Sequence, residues 1–128
     1  MSYYFCKKFK GTFDEVYNRT LVSLKREGFG VLTEIDVRAT LKKKLDVNFR
    51  QYKILGACNP PFAYKALQAE DKIGTMLPCN VIIQELAEGE VEVAAIDPVA
   101  SMQAVQNESL MPIAQQVQKK MKNVVEHI

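Results

Sequence analysis

Histidine occurs only once in this chain, at the penultimate position His127, and cysteine only three times. A catalytic base beside a nucleophile is therefore missing. So are the close His and Cys pairs that hold zinc, since Cys58 and Cys79 stand far apart with nothing near either. Neither a glycine-rich phosphate loop nor a Gly-x-Ser-x-Gly turn is present. No metal and no cofactor are expected. Charge of one sign is lacking too: 17 basic against 15 acidic residues leave +2, too small a field to imply nucleic acid as partner. The longest basic run, Lys42-Lys43-Lys44, alternates with Leu41 and Leu45 and reads as a solvated face. No apolar run approaches membrane-spanning length. The N-terminal Met-Ser-Tyr-Tyr-Phe-Cys-Lys-Lys has no basic leader, apolar stretch or cleavage site. The expectation is a cytoplasmic protein with no membrane partner. There, an odd number of cysteines stays as reduced thiols rather than a disulfide framework.

What is present is ordinary globular material: 48% hydrophobic and 25% charged residues in 128, enough for one domain over residues 1–128. Alternation in residues 3–9 puts Tyr3, Phe5 and Phe9 on one face of a first strand, with Lys7 interrupting it. Thr12 and Glu15 form a capping box that starts a helix. Its stripe of Phe13, Val16, Tyr17, Leu21 and Leu24 ends at Gly28-Phe29-Gly30. A strand over 31–37 is followed by a short helical turn at 39–45 and a strand over 49–57. Pro61 then opens a helix reaching Glu70. After a loop at 71–78, strands around Val81-Ile82-Ile83 and Val91–Ala95 make a hairpin about Glu88-Gly89, stopped by Asp97-Pro98. Leu110, Ile113, Val117, Met121, Val124 and Val125 mark a long C-terminal amphipathic helix.

This order predicts an α+β fold: a mostly antiparallel sheet of about five strands with helices packed on one face. The other sheet face needs a cover, which a second copy of the chain would supply as a homodimer.

The chemically pointed residues are two proline-flanked cysteines. Cys58 lies where a strand meets a helix N-terminus, a place that favours thiolate, and Asn59 follows it. Cys79 opens a strand after Pro78, with Asn80 next. If the two strands are antiparallel the cysteines share a sheet end; if parallel they are a strand length apart. Cys6 reads as a strand residue without a special role. Asn59, Asn80 and Asp36 are candidate ligand-binding side chains. Asp97, Glu34 and Glu85 read more simply as surface carboxylates.

Four blocks, Gly28–Val37, Ile54–Pro60, Ile73–Val81 and Ile96-Asp97-Pro98, give the chain a resemblance to the family called domain of unknown function 302. The resemblance implies a compact α+β fold related to ferredoxin-like sandwiches, and homodimers. It implies no activity. Three functions follow as alternatives: a binding or thiol-dependent module around Cys58, a thiol redox or group-transfer enzyme using Cys58 and Cys79, or a structural homodimer with inert buried cysteines.

Overall fold

In a computed structural model that describes residues 2–128, five strands form one sheet in the order β1-β5-β4-β3-β2, every neighbouring pair antiparallel. The strands are β1 Tyr4–Lys10, β2 Gly30–Asp36, β3 Tyr52–Cys58, β4 Cys79–Ala87 and β5 Glu90–Ile96. The helices are α1 Phe13–Arg26, α2 Val37–Leu45, α3 Pro60–Ala69, α4 Pro98–Ser101 and α5 Leu110–Glu126, with a 3₁₀ helix at Asp71–Met76. From β2 to β5 each strand lies beside its predecessor. Only the step from β1 to β2 crosses the sheet, and α1 makes that crossing.

Period-two burial fixes which face the helices cover. Val81 and Ile83 in β4, Val91, Val93 and Ala95 in β5, and Leu55 in β3 are fully buried beneath α1 and α5. The helices answer with Phe13, Val16 and Leu24 from α1 and Val117, Met121, Val124 and Val125 from α5. Each such side chain removed from water stabilises the fold by about 1.5–3 kcal/mol. Two buried hydroxyls close their own accounts: Thr20 Oγ1 donates to Val16 O at 2.7 Å, and Ser23 Oγ to Val124 O at 2.6 Å, tying α1 to α5. Lys7, the charge that breaks the apolar face of β1, reaches past the edge to donate to the Glu126 carbonyl at the end of α5, at 3.0 Å.

Several boundaries differ from the sequence expectation for local reasons. Val37 is helical rather than extended because the Asp36 carboxylate accepts from Ala39 N at 2.9 Å and caps α2 there. The expected loop at 71–78 holds the 3₁₀ helix. Asp97 does stop β5, but its carboxylate also accepts from Val99 N and Ala100 N, starting α4. In the capping box, Thr12 Oγ1 accepts from Glu15 N at 3.2 Å.

The sheet face away from α1 and α5 carries an apolar row through all five strands: Ile35, Ile54, Ile82, Ala94 and Cys6 are successive ladder partners. Ile35 is 47% exposed there and Tyr4 41%. Gly56 lies on this face opposite Thr33, beside the bulge at Leu32. A methyl group on Gly56 would collide with the Thr33 hydroxyl and come within 2.7 Å of Pro78 Cγ. Gly56→Ala is therefore expected to destabilise the protein by about 1–3 kcal/mol through overpacking, read as a lower urea midpoint. An unchanged midpoint would mean that the β2–β3–Pro78 contact is loose.

Candidate functional site

The sheet end formed by the last residue of β3 and the first of β4 is where the apolar layers fail to meet completely. A main hydrophobic cluster lies between the sheet, α1 and α5, and a smaller one of Ala66, Ile73, Met102, Leu110 and Ala114 gathers where α3, the 3₁₀ helix, α4 and α5 converge. Between them is a half-open cavity of about 330 Å³. Its floor is Ala57, Cys58 and Cys79 from the sheet. One wall is Phe62, Ala63, Ala66 and Leu67 from α3, and the other is Ile113, Ala114 and Val117 from α5. Phe29, Leu32, Asn59, Gly74, Leu77, Pro78, Pro98 and Met102 complete the lining.

The cysteines meet here because β3 and β4 are antiparallel. Ala57 is the ladder partner of Cys79, so Cys58 is one step past it, with Cα atoms roughly 6 Å apart. Both thiols are free, as is the exposed Cys6. Cys58 is partly accessible and Cys79 buried. Burial first, and the nearby Cys58 charge second, raise the Cys79 thiol to about 11 from its ordinary 9.0. Cys79 is thus a neutral thiol at physiological pH.

The helix after Cys58 is poor in donors. Asn59 is its N-cap residue but makes no side-chain cap bond, and Pro60 and Pro61 bring no N–H to the first turn. Asn59 is buried for a different purpose. Its Nδ2 donates at 3.2 Å to the Glu27 carbonyl, left over at the end of α1, while Gly28 turns away at φ +85°. A Cβ on Gly28 would sit 3.2 Å from that same nitrogen.

The remaining candidates do not gather here. Asn80 follows Cys79 by one residue, so the pleat sends it to the opposite, exposed sheet face. Asp36 pairs with Lys53 at the far end of β2, about 20 Å along the strand from Gly30 and Cys58, and its carboxylate is engaged as the α2 cap. Glu34 acts instead on the Tyr17 phenol, whose hydrogen-bonding interaction with that carboxylate, then burial and the Glu34 charge, push it up to about 12. Asp97 caps α4 and accepts from Gln118 Nε2 at 3.0 and 3.1 Å. Among the described residues no three of His, Cys, Asp and Glu cluster as metal ligands, and no helix is long and apolar enough to cross a membrane. The cavity's main wall residues, Phe62, Leu67, Met102 and Ile113, were not singled out as site residues from sequence, where they read only as ordinary apolar positions.

The family described as domain of unknown function DUF302 matches residues 5–128. Among solved structures, the crystal structure of an uncharacterized conserved protein DUF302 from Bacillus stearothermophilus is similar, at 25% identity. It superposes with a TM-score of 0.90 over 99% of this chain and 98% of that one. No curated protein matches.

Because the folded state holds the Cys79 proton more tightly than the unfolded chain does, stability is full below pH 9 and falls as pH rises towards 11. The loss attributable to this thiol is on the order of 2–3 kcal/mol. Denaturant titrations at pH 8 and pH 11 check it. Cys79→Ala is expected to flatten the decline, leaving the smaller contribution that Tyr17 makes in the same direction; an identical slope in the variant would contradict the burial of a protonated thiol.

Proposed function

This chain belongs to the DUF302 family, and we propose that it is a binding module whose site is the cavity beside Cys58. The observation that carries this reading is the unfilled volume of about 330 Å³ where two hydrophobic clusters meet, in the size range of small-molecule sites. The reading assigns Cys58 to the accessible wall and Asn59 to holding the β3–α3 joint in place. A redox enzyme would need Cys79 as a thiolate able to resolve a bond on Cys58, and burial keeps that thiol protonated. Binding without turnover is the better account. The small, odd number of cysteines, three, fits a reducing, cytoplasmic setting.

The bare sheet face supports a second, compatible element of the proposal. The row Ile35, Ile54, Ile82 and Ala94, flanked by Tyr4 and Ile96, is an apolar surface that a second copy would cover face to face. The module then works as a homodimer with its two cavities on the outer, helical layers.

Two measurements check these elements. Screening a fragment set by backbone-amide NMR is expected to give shifts clustered at residues 57–63 and 113–117; a cluster elsewhere, or none, would remove the cavity as the site. In sedimentation velocity, wild type is expected as a dimer and Ile82→Lys as a monomer of unchanged helical content. A wild-type monomer at all concentrations would dispose of the homodimer.

A further inference from the structure

Resting on the reading of the Cys58 cavity as a binding site, we propose that its ligand is an uncharged, predominantly hydrocarbon molecule. The walls are carbon and sulfur almost throughout: Phe29, Leu32, Phe62, Leu67, Met102 and Ile113 line it together with the two cysteines. No lysine, arginine, histidine, aspartate or glutamate lines it. The one amide in the wall, Asn59, gives its Nδ2 to the Glu27 carbonyl and leaves its Oδ1 as the single side-chain oxygen of the lining. Among the described residues, no buried side-chain nitrogen or oxygen is left without a partner. A strongly polar ligand would therefore give up its hydration and find only that oxygen and the Cys58 thiol in return.

Anions in particular are turned away. Two helix N-termini border the cavity, the usual places for a carboxylate or phosphate to find free amides. In α3 the first turn begins Pro60-Pro61, which removes two of those donors. In α4 the Asp97 carboxylate already accepts from Val99 N and Ala100 N, and adds its own negative charge. Both ends are thus made poor anion sites by residues of this chain.

Size narrows the class. An apolar cavity of about 150 Å³ is known to accept benzene, so one of about 330 Å³ suits a molecule about twice as large, roughly a dozen non-hydrogen atoms. A medium-length aliphatic alcohol or a two-ring aromatic has that bulk and at most one hydroxyl to leave at the open mouth.

The test uses the neutral two-ring dye 1-naphthylamine, followed by its emission, with octanol and octanoate as competitors at neutral pH. Saturable binding is expected, displaced by octanol, with octanoate at least about tenfold weaker. Ala63→Phe, which fills the cavity from α3, is expected to weaken dye binding about tenfold or more at unchanged circular dichroism. Leu67→Trp, nearer the mouth, provides the same reading if Ala63→Phe does not fold. Ile82→Lys, on the opposite sheet face, should leave dye binding intact. If octanoate competes as well as octanol while the filled variants still exclude the dye, the site stands and the ligand class falls. If dye binding ignores both filled variants, or is lost in Ile82→Lys, the cavity is not the site and both readings fall.

Discussion

Antiparallel pairing of β3 with β4, with Ala57 facing Cys79 across the ladder, brings the strand-to-helix joint at Cys58 and the strand entry at Pro78 to one sheet end. Much else follows from that register. A parallel arrangement would have put the cysteines a strand length apart and sent α3 away from β4. Instead α3 leaves β3 at the same end where the chain returns through the 3₁₀ helix. The segment between must fold over that end, and it does so as a second small hydrophobic cluster.

The cavity is the seam between that cluster and the main core, and its frame is fastened by polar bonds placed outside the volume they enclose. Asn59 ties the β3–α3 joint to the end of α1. Asp97 and Gln118 tie the start of α4 to α5. Asn107 donates to the Ala69 carbonyl at 2.8 Å and to Glu70 Oε1 at 3.2 Å, pinning the chain before α5 to the end of α3. These side chains hold the walls together, and among the described residues no buried side-chain nitrogen or oxygen lacks a partner. That division of labour lets an apolar space persist instead of collapsing, and it explains why an uncharged occupant suits it.

Periodicity made the amphipathic faces of α1 and α5 legible, because Phe13, Val16 and Leu24, and Val117, Met121 and Val124, recur at helical spacing and are buried as that spacing requires. The hairpin at Glu88-Gly89 was legible from its turn residues, Gly89 taking φ +77°. The start of α2 at Val37 was not, since it depends on the Asp36 carboxylate choosing the Ala39 amide over a strand neighbour. The two cysteines come to one end of the sheet because their strands are antiparallel, and strand alternation separates Asn80 from that end's cavity. The apolar walls stayed hidden for a physical reason: hydrophobic spacing reports that Phe62 or Met102 turns inward, and says nothing about whether the space it faces is filled.

The proposed site requires an apolar cavity, free of ordered water, between β3, α3 and α5. A crystal pressurised with xenon tests it most directly, because xenon enters apolar space and leaves hydrated clefts alone. An anomalous peak is predicted within the ring of Ala57, Phe62, Met102 and Ile113. Ordered water in that volume, or side chains collapsed into it with no xenon bound, would contradict the account.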